Sequence, residues 1–87
     1  MLPLKDTHLE VKIVGAEVLV HDARLGKIHV LNATGGRVLE LCDGTRTSNL
    51  IARELAAQTG HDVTVIDRDV TAILAEFSTL GLVANVA

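Results

Sequence analysis

The apolar positions of this 87-residue chain change period near its middle. Early on they recur every second residue. Across His8–Val14 (HLEVKIV), Leu9, Val11 and Ile13 alternate with Glu10 and Lys12, which predicts a strand with one buried face. Gly15-Ala16 reads as a turn, and the β-branched run Glu17–His21 (EVLVH) as a second strand. Asp22-Ala23-Arg24-Leu25-Gly26 has the length and the glycine of a hairpin loop, so Lys27–Leu31 (KIHVL) returns as a third strand of an antiparallel meander. Alternation fails in that third strand, because Ile28, Val30 and Leu31 are all apolar. A strand apolar on both faces asks to be covered on both, yet the last strand of a meander has a free side. Met1–Thr7 holds the only proline and shows no period, so a loose arm is expected there.

After Leu31 the period becomes helical. Asn32 is a good N-cap, since its side-chain oxygen can accept from a free N–H of the first turn. Gly35 and Gly36 lower the propensity of the helix that follows, and close approach to a strand is the expected reason. Val38, Leu39, Leu41 and Cys42 form its apolar side, and Asp43-Gly44 stops it. Thr47 caps a second helix, Ser48–Thr59, with Leu50, Ile51 and Leu55 inward, Arg53, Glu54 and Gln58 outward, and Gly60 as its end. Thr64-x-x-Asp67 resembles a capping box with Asp in place of Glu, opening a third helix over Val65–Leu80. Its stripe is Ile66, Val70, Ile73, Leu74, Phe77 and Leu80, and Gly81 is its stop. Leu82–Ala87 is an apolar tail that folds back as a strand or wing in this reading. Three strands followed by three helices, joined by short loops, predict a single α+β domain over residues 1–87 of winged-helix-turn-helix type.

Composition narrows the chemistry. The chain is 48% hydrophobic but has one Phe and no Trp or Tyr, so its core must be aliphatic. A net charge of −3 and only eight scattered Lys and Arg leave no concentrated basic face for nucleic acid. The third helix, as the recognition element of a DNA-binding winged helix, would offer Arg68 alone beside Asp67, Asp69 and Glu76. The lone Cys42 has no disulfide partner, no apolar run reaches ~18 residues, and the N-terminal stretch has no signal-peptide core, so a cytoplasmic protein without a membrane span is expected.

No catalytic set is visible. His8, His21, His29 and His61 have no close ligand spacing, although His21 and His29 could meet across the hairpin. Cys42, in the run VLELC, reads as a small core residue, and Ser48 and Ser78 lack an activating base. Asp67 and Asp69 suit a helix start, and Gly35-Gly36 has no phosphate-loop Lys after it. No cofactor or metal is therefore expected. What remains is the apolar strand Ile28–Leu31. Such an edge can accept an extended peptide as an added strand, or be covered by the tail or by a second copy in a homodimer.

One family shares these residues in this order. Leu31-Asn32-x-Thr34-Gly35, then Val38-Leu39-x-Leu41-Cys42-Asp43-Gly44-Thr45, resembles the signature of PqqD-like proteins. The likeness continues through Thr47 and Ile51-x-x-Glu54-Leu55, and through Asp69-Val70-x-x-x-Leu74-x-x-Phe77-x-x-Leu80-Gly81-Leu82, spanning about Val18–Val83. Leu50 departs from it, standing where many relatives have Glu, and His8–Glu17 shows no distinctive match. The resemblance implies a RiPP recognition element. This is a non-enzymatic peptide chaperone that binds the leader of a ribosomally made precursor and presents it to a maturation enzyme, often a radical-SAM protein, as in pyrroloquinoline quinone biosynthesis. Lasso-peptide leader-binding proteins share the skeleton. Carried onto this chain, the resemblance places the leader along Lys27, Ile28, His29, Val30 and Leu31, with Asp69, Ala72, Ile73 and Glu76 as the helical wall of the groove.

Overall fold

The computed structural model describes residues 2–86. Their order is β1 (Leu2–Lys5), β2 (Leu9–Val14), β3 (Glu17–Asp22), β4 (Lys27–Leu31), α1 (Ala33–Leu41), α2 (Ser48–Thr59), α3 (Val63–Thr79) and β5 (Val83–Val86). β2, β3 and β4 form the expected antiparallel meander, with β3 central, and the three helices follow. This is an α+β fold with a winged-helix-like arrangement.

The arm was misjudged. Residues 2–5 are not loose: they form β1, paired antiparallel with β5 from Leu2↔Val86 to Lys5↔Val83. Further bonds fasten it to the end of α1, where Lys5 N–H donates to the Cys42 carbonyl at 2.7 Å and Gly44 N–H to the Pro3 carbonyl at 3.0 Å. The tail does return as a strand over Val83–Val86; Met1 and Ala87 lie outside the described residues.

Each helix begins where a side chain can replace a missing backbone partner. Asn32 accepts from Gly35 N–H at 2.8 Å and Thr47 from Leu50 N–H at 3.2 Å, as expected. α3 starts two residues early, because Asp62, not Thr64, is its cap and accepts from Thr64 N–H at 2.7 Å. Its far end is a Schellman turn: Gly81 has φ +75°, its N–H reaches Ser78 O at 3.2 Å, and Leu82 N–H reaches Phe77 O at 2.9 Å. Between α1 and α2, Asp43 accepts from the hydroxyl and then the N–H of Thr45 and pairs with Arg46, which together hold its carboxyl below the usual range.

The core is aliphatic apart from Phe77. Val20 from the sheet meets Val38, Leu39 and Cys42 of α1, Ile51, Ala52 and Leu55 of α2, Val70 and Phe77 of α3, and Leu82. Leu50 is exposed rather than buried, and Ala52 takes its place on the inward face. α1 crosses the sheet so closely that a Cβ added to Gly36 would penetrate the Val18 side chain on β3, which is the approach the double glycine implied. Gly35 has more room, the nearest atoms to such a Cβ being 3.3 Å and 3.5 Å away. Gly36→Ala should therefore lower stability by about 2 kcal/mol through overpacking, and Gly35→Ala by less, as read from urea midpoints.

Candidate functional site

Among the described residues β4 is an outer strand of its sheet, paired only with β3. The register sets Val18 opposite Leu31, Leu19 opposite Val30, Val20 opposite His29, His21 opposite Ile28 and Asp22 opposite Lys27. Because side chains alternate, Lys27, His29 and Leu31 share the inner face with the buried Val20 and Asp22, and Ile28 and Val30 share the outer face with Leu19 and His21. Leu31 packs against the core, whereas Ile28 and Val30 stand 66% and 58% exposed.

The turn between β2 and β3 fixes where the backbone of β4 points. Gly15-Ala16 is a two-residue loop closed by Val14 opposite Glu17, with Gly15 at φ +63° as a type II′ turn demands. The closing pair exchanges hydrogen bonds, and bonding alternates along the ladder from there. Val18, Val20 and Asp22 thus aim their backbone groups at β4, where Leu31, His29 and Lys27 answer. The N–H and C=O of Ile28 and Val30 point outward, free to bond another strand.

The helical residues proposed for the groove lie along one flank of α3. Asp69, Ala72 and Glu76 are exposed and Ile73 is partly buried against the core, beside the inward stripe of Ile66, Val70 and Phe77. Their spacings of three and four residues put them on one side. The opposite flank, with Thr71, Leu74 and Ser78, faces Pro3 and Val83 across a separate cavity of 240 Å³. β4 and α3 converge at the start of α1, since a Cβ on Gly35 would lie 3.5 Å from Leu31 Cβ and 4.0 Å from the Phe77 ring.

The loop leading into β4 is pinned by residues that the sequence reading passed over. Asp22 is fully buried, and its Oδ1 accepts from Arg24 N–H at 3.0 Å and from Leu25 N–H at 3.4 Å. Arg24 reaches back to Asp22 at 3.6 Å and pairs with Asp6 at 2.7 Å. Asp6 is held below the usual carboxylate range by the His8 N–H and the His8 ring, with Arg24 adding to this. An Asp opening a hairpin loop is the sequence signal of this Asx-type turn. Asp22 Oδ2 and His29 Nε2 are buried without a hydrogen-bond partner among the described residues.

His21 and His29 do not meet across the hairpin. They sit out of register on opposite faces of the sheet. Among the described residues no three His, Cys, Asp or Glu side chains gather as a metal site. Cys42 is buried, its Sγ donating to the Val38 carbonyl at 3.1 Å, and burial pushes its thiol up to about 11, with Asp43 adding to the shift. At neutral pH it is a protonated packing residue, as its sequence setting suggested.

The family model for Coenzyme PQQ synthesis protein D (PqqD) matches residues 17–83. The chain belongs to the PqqD family. That span takes in β3, β4 and all three helices, so the free edge and the α3 flank both lie within the matched residues. Two solved structures share the whole PqqD fold. One is described as TbiB1 in complex with the TbiA(beta) leader peptide, with 19% identity, a TM-score of 0.82, and coverage of 97% of this chain and 98% of that one. The other is lasso peptide synthetase B1 complexed with the leader peptide, with 17% identity, a TM-score of 0.81, and coverage of 97% and 99%. A search of curated proteins found no match.

Removing the Asp22 carboxylate tests how firmly β4 is presented. Asp22→Ala should cost about 2 kcal/mol and speed hydrogen exchange at the Arg24 and Leu25 amides, because two bonded donors lose their acceptor. Asp22→Asn keeps the acceptor and should leave that exchange slow.

Proposed function

We propose that this PqqD-family protein is a peptide chaperone. It binds the leader segment of a ribosomally synthesised precursor by strand addition along β4 and presents it to a maturation enzyme of radical-SAM type. The observation that carries this reading is the outer edge of β4, with the outward backbone groups and exposed side chains of Ile28 and Val30. An added strand would bond to those groups through its own backbone, which gives affinity without regard to sequence. Selectivity would then come from the side chains that meet Lys27, His29 and Leu31 on one face and Asp69, Ala72, Ile73 and Glu76 on α3. Asp69 and Glu76 give this wall a negative character that favours a cationic leader residue beside an apolar one against Ile73.

Binding of this kind needs no reacting group, and the protonated Cys42 supports a role without catalysis. The acidic α3 also weighs against a DNA-binding winged helix, whose recognition helix must face phosphates. The likeness to the two leader-bound structures supports the peptide as occupant and favours a second pathway, that of a lasso peptide, alongside pyrroloquinoline quinone.

Titration of isotope-labelled protein with the leader of its own precursor should shift the amide signals of Lys27–Leu31 and of the α3 flank. If those signals stay fixed while others move, the leader sits elsewhere. Val30→Pro removes an outward donor and should abolish binding, whereas Val30→Ala keeps the donor and should stay within about tenfold of wild type. Intact affinity in a folded Val30→Pro protein would rule out strand addition at β4.

A further inference from the structure

The sheet has a second outer strand. β2 pairs only with β3, and no other described strand borders it. By the alternation set at the Gly15-Ala16 turn, Leu9, Val11 and Ile13 aim their backbone groups away from β3. Leu9 bears this out, for its N–H donates to the Asp6 carbonyl at 3.3 Å instead of to the sheet. The side chains of Val11 and Ile13 are 43% and 76% exposed and overhang an apolar groove of 360 Å³ against α1, floored by Gly36 and Leu39. Free backbone groups and uncovered apolar side chains thus coincide on one strand.

We infer that this edge pairs with β2 of a second copy, in antiparallel register about Val11. The charges select the occupant. With Val11 facing its own counterpart, Glu10 lies opposite Lys12 of the other copy and Lys12 opposite its Glu10, so the two-fold produces both pairs. Leu9 and Ile13 face each other across the axis in the same way. Val11 is also a residue whose backbone groups point outward, so the axis falls on a hydrogen-bonded pair. An axis at Lys12 or at Glu10 would oppose like charges at a non-hydrogen-bonded pair, where side chains lie closest. One at Ile13 would pair little beyond the end of the strand, and one at Leu9 would run into the Asp6–His8 turn. The dimer is therefore isologous, a continuous six-stranded sheet with β4 at each outer end. It leaves β4 open, and it stands or falls independently of what β4 binds.

Sedimentation equilibrium of the full chain from ~10 µM to ~1 mM tests this, with the mass expected to rise from 9.2 kDa toward twice that value. Glu10→Lys places like charges opposite each other at both pairs and should raise the dimer dissociation constant about tenfold. The double exchange Glu10→Lys with Lys12→Glu should restore it to within about threefold. Both sites are exposed, and unchanged circular dichroism confirms the fold of each variant. Val30→Pro should leave the dimer intact. A chain monomeric throughout, a double exchange that fails to restore association, or a dimer dissolved by Val30→Pro would each overturn the assignment.

Discussion

The contact between Gly36 and Val18 is the constraint on which the rest of the structure depends. It lets the backbone of α1 lie directly against β3, closer than any side chain at position 36 would permit. Because Asn32 is both the residue after β4 and the cap of α1, no linker can absorb a change in the angle between strand and helix. The direction of α1 is thus dictated from the sheet, and α2 and α3 pack on the buried side of α1 in turn. The close approach at one glycine thus bears on where the α3 flank stands relative to β4.

The same closeness explains how an unfinished sheet persists. Val20 and Asp22 are fully buried at its centre, so β3 is held from one face by the helices while the outer sides of β2 and β4 have no strand partner among the described residues. Free edges normally invite indiscriminate pairing. Here the two edges differ in character. The edge of β2 carries alternating charge, Glu10 and Lys12, which penalises most registers and admits one. The edge of β4 carries Ile28 and Val30 with little charge to discriminate, so in the proposed mode of binding selectivity falls to the helix beside it. The proposed capture of a peptide through its backbone calls for one permissive edge and is best served when the other is selective.

Local chemistry was readable from the chain, and non-local pairing was not. Lys27–Leu31 and Ser48–Thr59 were legible to the residue because the hairpin loop ending at Gly26, then Asn32, Thr47 and Gly60, mark their ends within a few positions. β1 left no mark, since a four-residue strand without a period exists only through a partner at the far end of the sequence. The start of α3 was displaced because Asp62 and Thr64 are both competent caps and the first in line prevails. Leu50 was placed inward by its hydropathy, yet the helical phase set by Ile51 and Leu55 turns the smaller Ala52 to the core. For the site, the two-faced apolarity of β4 announced an edge. The flank of α3 came from family resemblance, and the buried Asp22 was taken for an ordinary loop residue.

The pairing of β1 with β5 has a consequence for assembly. Leu2 lies opposite Val86, so the two strands' outer ends meet at one place, on the flank of α3 that faces Pro3 and Val83 and away from Asp69 and Glu76. A tether attached to either strand there would originate from the same point. The local concentration of whatever hangs from it would be set by linker length and stiffness. Joining a partner to this domain is then a matter of reach, and the geometry of capture need not change.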